Sequence, residues 1–379
     1  MKARLSLLVL IFVASLSLAQ QPPRPQPAPP IIGASSYLVI DSTTGHELAS
    51  LEPDNAVPPA SLTKLMTAYV VFYALQQGQI SVEDEVTVSE KAWRTQGSRM
   101  FIEVGTRVSV EDLLRGMIVQ SGNDASVALA EYIAGTEAVF AEMMNQQASL
   151  LGMHSSHFMN ATGLPNENHY STARDLSTLA RAIIEQFPEY YRWYSMKKFT
   201  FNEISQPNRN NLLWRDDSVD GMKTGYTEAA GYCLVSSAQR DDMRIIAVVL
   251  GTSSAKARID GSQALLNYGF RFFETRKLYS AGDEVTTTRV WKSANEYSAL
   301  GVIEDWYITV PRGSYDSLVS TLNIPAIIEA PVAQSQPIAE MSIALGEEQL
   351  LQIPLRALAD NPSGSLWQRT VDGVSLWFE

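Results

Sequence analysis

The sequence contains very little cysteine or histidine, and it has more acidic than basic residues. Cys233 is the only cysteine in 379 residues, which excludes an internal disulfide, and its apolar surroundings are typical of a buried packing residue. The four histidines are scattered without the spacing of metal ligands, so neither a metal ion nor another cofactor is predicted. The formal net charge of −12 argues against nucleic acid as a partner, because such a partner requires a basic face.

Beyond its N-terminus the sequence also lacks any apolar run of the about 20 residues that span a bilayer. The first nineteen residues combine a basic start at Lys2 and Arg4, an apolar run from Leu5 to Leu18, and a small residue at Ala19. This is the pattern of a cleaved signal peptide, and the run is short for the alternative, a membrane anchor. Residues 1–19 therefore predict an exported protein.

The rest of the chain divides by composition into a tether and two domains. Residues 20–31 form a proline-rich tether that supports neither helix nor strand. Residues 32–276 mix helical and strand periodicities, which predicts an α/β (α+β) domain. In residues 277–360, short strand-like runs are separated by Gly, Pro and Asn, which predicts a small all-β sandwich domain. Residues 361–379 are a linker and a tail.

The periodicities also predict individual elements. The predicted helices are Ser61–Gln77, Val110–Val119, Asp124–Ala134, Glu137–Leu151 and Thr172–Gln186. The predicted strands are Tyr37–Asp41, Tyr232–Ala238, Arg244–Leu250, Val285–Trp291, Trp306–Val310, Leu318–Asn323, Met341–Leu345 and Leu351–Pro354.

The first of three polar motifs, S-x-x-K, lies at the start of a predicted helix. This helix is apolar on nearly every side and is therefore expected to be buried. Its Ser61 and Lys64 are three residues apart and share one helix face. A neutral Lys64 amine could take the Ser61 proton if burial and nearby positive charge lower its pKa. The alternative is a capping serine beside a solvated lysine, since the same S-x-x-K spacing also occurs at Ser195 and Ser253.

The second and third motifs are S-x-N at Ser121 and Asn123, and K-T-G at Lys223, Thr224 and Gly225. A turn between two helices would direct a proton-relaying hydroxyl and a carbonyl-holding amide at one cleft, although these residues are also ordinary turn formers. A lysine and a hydroxyl on an edge strand suit a substrate carboxylate, and a glycine there lets a ligand backbone approach. Each motif is weak alone, but the ordered set is specific.

On these motifs the chain resembles the penicillin-binding, active-site-serine D-Ala-D-Ala carboxypeptidases of the low-molecular-mass type-5 and type-6 group. The likeness covers nearly the whole length, and its best-matching stretches are 59–64, 120–125, 171–175, 206–210, 220–225 and 269–275. It implies a transpeptidase- and β-lactamase-like domain with an antiparallel sheet and helices, followed by a β-sandwich and an amphipathic C-terminal helix.

The resemblance also implies roles for individual residues. Ser61 would attack the carbonyl between two D-alanines and form an acyl-enzyme, with Lys64 as general base. Ser121 and Lys223 would pass a proton to the departing D-alanine. By the same resemblance, Asn123 would bind the acyl side chain, and the N–H groups of Ser61 and Tyr226 would form the oxyanion hole. Thr224 would bind the terminal carboxylate, with Gly225 beside it. Arg258 would support that carboxylate, and Arg209 would lie at the edge of the cleft.

The implied partners are peptidoglycan stem peptides, β-lactam antibiotics and the outer face of the inner membrane, which would place the protein in the periplasm. A serine β-lactamase shares the motifs, but Glu167 lies outside the Glu-x-x-Leu-Asn pattern typical of its deacylating glutamate. A D,D-endopeptidase acting on crosslinks also shares the motifs. A non-catalytic peptidoglycan-binding protein would need no activated serine.

The tail carries an apolar stripe with little positive charge. On a helix from 363 to 379 the apolar residues fall on one face, and they are Leu366, Trp367, Val371, Val374, Trp377 and Phe378. This predicts a helix lying on the membrane surface, and the alternative is a helix packed on the β domain. Arg369 is its only cation, so attraction to anionic lipid is expected to be weak.

Overall fold

A computed structural model describes residues 27–377. The predicted signal peptide, most of the proline-rich tether, and Phe378 of the predicted tail helix lie outside the described residues. The described chain forms two compact units. The first comprises Pro27–Thr286 with Gly301–Arg312, and the second comprises Thr287–Leu300 with the described part of Gly313–Glu379.

Ten α-helices and sixteen strands are found among the described residues. The helices are α1 Thr63–Gln76, α2 Glu90–Arg94, α3 Val110–Val119, α4 Asn123–Ala134, α5 Glu137–Leu150, α6 Ala173–Gln186, α7 Pro188–Tyr191, α8 Leu212–Arg215, α9 Ala255–Phe272 and α10 Leu366–Ser375. The strands are β1 Ser36–Asp41, β2 Glu47–Leu51, β3 Glu85–Thr87, β4 Arg107–Ser109, β5 Lys198–Phe201, β6 Ile204–Pro207, β7 Val219–Thr227, β8 Gly231–Arg240, β9 Met243–Thr252, β10 Phe273–Tyr279, β11 Glu284–Arg289, β12 Tyr297–Gly301, β13 Trp306–Pro311, β14 Leu318–Asn323, β15 Pro337–Leu345 and β16 Glu348–Ala357.

The first unit is built on a five-stranded sheet in the order β2-β1-β9-β8-β7, whose pairs are antiparallel. Side chains alternate across it, as the period of two requires. Leu38 and Ile40 face the core that contains α1, whereas Tyr37 and Val39 face the core that contains α9. The central strand β9 is covered on both sides, which explains its continuous apolar run Ile245–Leu250.

Helix α9 was absent from the sequence prediction, although it packs against β9, β8, β1 and β2 on one face of the sheet. Gly261 and Gly269 interrupt its apolar pattern, and glycine lowers helix propensity by about 1 kcal/mol. Packing explains the second glycine, because a Cβ at Gly269 would lie 2.5 Å from the Ile245 side chain. The helix begins where the Ser254 hydroxyl accepts a hydrogen bond from Ala257 N.

Helix α1 is the buried centre of the other core. All its residues except Tyr73 and Gln76 are buried, as its apolar composition predicted. The helix begins two residues later than expected, because Ala60–Leu62 form a 3₁₀ turn that holds Ser61 ahead of the α-helical hydrogen bonds. Ala60 has a φ of 48°, a left-handed conformation that few non-glycine residues adopt.

The second unit is an all-β domain, as predicted, and its sheet has the order β11-β12-β16-β15-β14. One predicted strand lies outside this sheet. Strand β13, placed in the β domain by its sequence position, pairs with β10 and lies in the first unit. Local periodicity carries no information about pairing between distant segments. The other strands and helices predicted from the sequence are present, with bounds shifted by a few residues.

The tail helix α10 follows the β domain. Ser365 caps it through a capping box with Gln368. The Asp372 carboxylate accepts a hydrogen bond of 2.5 Å from Lys292 N, which ties the helix to this unit, although no residue of α10 is buried. No helix among residues 27–377 has the length and apolar character needed to cross a membrane.

Candidate active site

Ser61 and Lys64 are in direct contact. Lys64 Nζ lies 3.0 Å from Ser61 Oγ, 2.7 Å from Asn123 Oδ1 and 2.6 Å from the carbonyl oxygen of Thr162. The two carbonyl oxygens can only accept hydrogen bonds. In a neutral amine, the two N–H bonds would therefore point to Asn123 and Thr162, and the lone pair would face the Ser61 hydroxyl. The arrangement suits an amine that removes the serine proton.

Burial makes a neutral Lys64 attainable. The side chain is only 1% exposed. Burial lowers the pKa of Lys64 from 10.5 to about 7, against the opposing influence of the Asp124 carboxylate. Because water solvates the ammonium form best, removing it from water favours the neutral amine. Burial thus makes the neutral amine far more accessible near neutral pH than in an exposed lysine.

Close backbone packing sets the position of Ser61. A Cβ at Gly163 would lie 1.8 Å from the Ala60 carbonyl oxygen, so only glycine fits there. A Cβ at Gly225 would lie 3.1 Å from the Pro59 carbonyl oxygen. The segment that carries Ser61 therefore approaches Gly225 closely, and the predicted approach of a ligand backbone stays a prediction. A loop and strand β7 clamp this segment from two directions.

The S-x-N motif forms the turn between α3 and α4. Ser121 is buried and has a φ of 68°, and its Oγ forms no hydrogen bond with any residue in the described range 27–377. Asn123 donates from Nδ2 to the Gln96 carbonyl at 2.6 Å, and its N–H donates to Ser98 O at 2.7 Å. One N–H of the Asn123 amide is left for a substrate.

The K-T-G motif lies on β7, at the edge of the sheet. Lys223 is 2% exposed and donates to the Thr224 carbonyl at 3.1 Å. Burial, together with the charges of Lys64, Arg258 and Arg209, holds the pKa of Lys223 well below its ordinary value. The lysine therefore belongs to the same electrostatic cluster as Lys64. Thr224 is buried beside it.

The two predicted arginines are held by neighbouring backbone. Arg258, in the first turn of α9, donates from Nη1 to Gly225 O at 3.2 Å and to Cys233 O at 3.4 Å. Its Nε is buried and has no hydrogen-bond partner among the described residues. Arg209 is exposed, and its N–H donates to Val119 O at 3.2 Å. Tyr226 is half-exposed at the end of the motif strand.

Comparison with known proteins decides the family. The family model described as "D-alanyl-D-alanine carboxypeptidase" matches residues 24–254. This chain belongs to the D-alanyl-D-alanine carboxypeptidase family. The model described as "Penicillin-binding protein 5, C-terminal domain" matches residues 273–363. The serine-type D-Ala-D-Ala carboxypeptidase predicted from the sequence is thereby confirmed.

Similar proteins match the carboxypeptidase over almost its entire length. It is 39% identical over 360 residues to D-alanyl-D-alanine carboxypeptidase DacA of Escherichia coli K12, covering 93% of this chain and 89% of that protein. It is 40% identical to DacD of the same organism, covering 98% of both chains. The crystal structure of penicillin-binding protein 5 from Haemophilus influenzae has a TM-score of 0.85 and 43% identity, covering 89% of this chain and 99% of that one.

The geometry also resolves alternatives that the motifs left open. Ser61 does not cap a helix, because α1 has Leu62 at its N-cap and no side-chain cap. Lys64 is buried, not solvated. Ser195 instead donates to the Arg192 carbonyl, and its partner lysine at 198 is exposed, so this second S-x-x-K pair forms no comparable site.

Two further residues considered in the sequence analysis, Glu167 and Cys233, lie outside the motifs. Glu167 is exposed in the loop of residues 159–170, whereas Lys64 is buried. Cys233 is fully buried, as predicted, and burial raises the pKa of its thiol.

Sequence reasoning missed two contributors to the site. The Thr162 carbonyl holds Lys64, and no sequence signal marks it, since every residue carries a carbonyl. Asp124 is 1% exposed and accepts hydrogen bonds from the N–H groups of Met100, Phe101 and Ile102. Its position directly after the S-x-N motif was visible, but its backbone partners were not.

The lowered pKa of Lys64 predicts how acylation responds to pH. The amine must be neutral to accept the Ser61 proton, so the rate should rise as pH passes through about 7 and level off above it. Lys64→Arg should lower the acylation rate by about 10²- to 10⁴-fold, because arginine stays charged and cannot accept the serine proton. Stopped-flow measurement of penicillin acylation against pH tests both points.

The matched control is Lys198→Arg, at the exposed lysine of the unused S-x-x-K pair, which should behave like the parent protein. A profile that is flat across neutral pH, or a Lys64→Arg variant that acylates near the parent rate, would mean that Lys64 gives only electrostatic support.

Proposed function

We propose that the enzyme removes the terminal D-alanine from peptidoglycan stem pentapeptides through an acyl-enzyme on Ser61. The observation that carries the proposal is the 3.0 Å contact between Ser61 Oγ and a fully buried Lys64 Nζ. A serine hydroxyl is a weak nucleophile until an adjacent base removes its proton. Here the base has a pKa near 7 and a lone pair directed at the hydroxyl.

In this mechanism Ser61 Oγ attacks the carbonyl between the two D-alanines while Lys64 takes its proton. The backbone N–H groups of Ser61 and Tyr226 stabilise the oxyanion, each by roughly 3–4 kcal/mol as in comparable sites. Ser121 and Lys223 then carry a proton to the departing amine. The unpaired Ser121 hydroxyl and the lowered pKa of Lys223 both suit that transfer. Water finally hydrolyses the ester.

A cluster of positive side chains supports recognition of a free peptide terminus. Lys223, Arg258 and Arg209 lie close enough for each arginine to lower the pKa of the lysine. None of the three forms a salt bridge with a described carboxylate, so their charge is available to a ligand. Thr224 would add a hydroxyl donor to the same carboxylate, and the Asn123 amide would bind the acyl side chain.

A cavity next to the segment that precedes Ser61 would accept part of the peptide, and none of the motif side chains lines it. It has a volume of about 580 Å³ and lies between the segment before Ser61 and the loop 163–170. Its lining includes Val57, Pro59 and Leu164, which suit the apolar parts of a peptide. β-Lactams would acylate the same serine. Exposed Glu167 gives no support to the rapid deacylation of a β-lactamase.

We further propose that the enzyme is exported to the periplasm and attached to the outer face of the inner membrane by α10. The apolar side chains of this helix stay exposed, with Trp367 at 76% and Val374 at 58%, and Trp377 just after it is 90% exposed. Its Asp372 carboxylate accepts a hydrogen bond from Lys292 N of the β domain. Tryptophan favours the membrane interface, since its ring is apolar and its N–H is polar.

Ser61→Ala should abolish penicillin labelling and reduce D-alanine release by about 10⁴-fold or more, because the acyl-enzyme cannot form. Intact-mass analysis and peptide mapping after incubation with a labelled penicillin would locate the adduct. The matched control, Ser195→Ala, removes the serine of an exposed S-x-x-K pair and should leave labelling intact. An adduct that persists in Ser61→Ala would refute the assignment.

Arg258→Gln should lower kcat/KM for peptides with a free terminal carboxylate by about tenfold or more, since a charged hydrogen bond contributes about 1.5–3 kcal/mol. Amidated analogues should lose far less. Lys256→Gln removes the same charge from an exposed position on α9 and serves as control. Equal losses on both substrates would indicate general damage to the site.

Deletion of the residues after Asn361 should release the protein from membranes. Each partly buried apolar side chain contributes about 1 kcal/mol, so losing the exposed residues of α10 removes several kcal/mol. Vesicle co-sedimentation and cell fractionation measure this. In the intact tail, Trp367→Ala should weaken binding while Gln368→Ala, on the capping residue beside it, should do so far less. A truncated enzyme that stays with membranes would contradict the anchor.

A further inference from the structure

A histidine outside the three motifs contacts the helix that carries the base. The loop of residues 159–170 is fastened to α1 by three side-chain hydrogen bonds. These are Lys64 Nζ to Thr162 O (2.6 Å), Thr67 Oγ1 to Ala161 O (2.7 Å), and the contact of 2.9 Å between Thr63 Oγ1 and His169 Nε2. The third bond joins two buried side chains directly beside Ser61 and Lys64.

The protonation state of His169 follows from its surroundings. The ring is 3% exposed, packs edge-on against Phe158, and accepts a hydrogen bond at Nδ1 from Met159 N at 3.4 Å. Burial lowers the pKa of His169 to about 4, so the ring is neutral at neutral pH. With Nδ1 as acceptor, the single proton is on Nε2, which donates to Thr63 Oγ1.

Thr63 is also in contact with the tip of the same loop. A Cβ placed at Gly163 would lie 2.9 Å from Thr63 Oγ1, so the loop backbone rests against this hydroxyl. A threonine on a helix divides between two rotamers. The donor at His169 selects the rotamer that points the hydroxyl at the histidine, and so it fixes the surface on which the loop packs.

We infer that His169 is a positioning residue for acylation: its hydrogen bond to Thr63 holds the 159–170 loop so that the Thr162 carbonyl stays on Lys64 Nζ and water stays out. The inference rests on the proposed roles of Ser61 and Lys64. His169 does not touch the reacting atoms, and it acts through the loop.

This role has a consequence that a purely structural role lacks. If the loop loosens, water reaches Lys64 Nζ, replaces the lost carbonyl as an acceptor and solvates the ammonium form. The pKa of Lys64 then rises from about 7 toward its ordinary value. The acylation rate should therefore be lowered at pH values below the midpoint of the profile and should recover at pH values above it. A loss of folded protein would instead lower the rate equally at every pH.

The experiment measures the rate of acylation by a labelled penicillin against pH in the full chain. In His169→Leu the midpoint should move to higher pH by about one unit, which lowers the rate about tenfold on the acidic side. His169→Gln can still donate to Thr63 and should restore most of the parent profile. Thr63→Val should give the same shift as His169→Leu.

The controls separate this inference from the proposed function. The double variant of Thr63→Val and His169→Leu should shift no further than either single variant. His154→Gln, at an exposed histidine, should match the parent. Asp124 and Lys223, the charged groups facing Lys64, are unchanged throughout. A parent protein that is not labelled at Ser61 would refute the proposed function and this inference with it, whereas a labelled parent with an unshifted midpoint in His169→Leu would refute this inference alone.

The inference is overturned if His169→Leu lowers the rate by one factor at all pH values, if His169→Gln fails to restore the profile, or if the two shifts add. Thermal melting checks that each variant is folded. If His169→Leu is unfolded, the midpoint measured in Thr63→Val tests the inference by itself, since valine keeps the shape of threonine. An unshifted midpoint in folded Thr63→Val would also overturn it.

Discussion

The Lys64 amine is kept out of water, and the rest of the site depends on that constraint. A shift in its pKa from 10.5 to about 7 corresponds to on the order of 5 kcal/mol against the charged form. Such a shift is held only if every neighbour stays in place, because one gap would admit water. The Asn123 amide and the Thr162 carbonyl fill the two donor directions of the amine, and the remaining direction faces Ser61.

Three parts of the chain close around this amine. Helix α1 supplies Lys64 and the 3₁₀ turn before it supplies Ser61, the 159–170 loop covers Lys64 on one side, and strand β7 borders the segment before Ser61 on another. The contacts are so short that glycine is required at 163, and the left-handed Ala60 beside it is held in a strained conformation. Strain of this kind persists only where surrounding packing over-determines it.

Backbone carbonyl groups, and not carboxylates, accept the hydrogen bonds of Lys223 and Arg258. Lys223 donates to the Thr224 carbonyl, and Arg258 donates to the carbonyls of Gly225 and Cys233. The buried carboxylate of Asp124 is instead occupied by backbone N–H groups. Backbone carbonyls orient a cation without neutralising it, so the cluster keeps a net positive charge. That charge suits an anionic substrate terminus.

The sequence alone determined the family, the α/β domain followed by an all-β domain, the buried α1 and the pairing of Ser61 with Lys64 on which the proposed mechanism rests. These features depend on local periodicity and on an ordered set of motifs. It missed α9, whose Gly269 is explained only by contact with Ile245, and it did not predict that β13 pairs with β10. Only the tertiary structure decided the Thr162 carbonyl and the His169 contact, because backbone groups and long-range neighbours leave no mark on a local pattern.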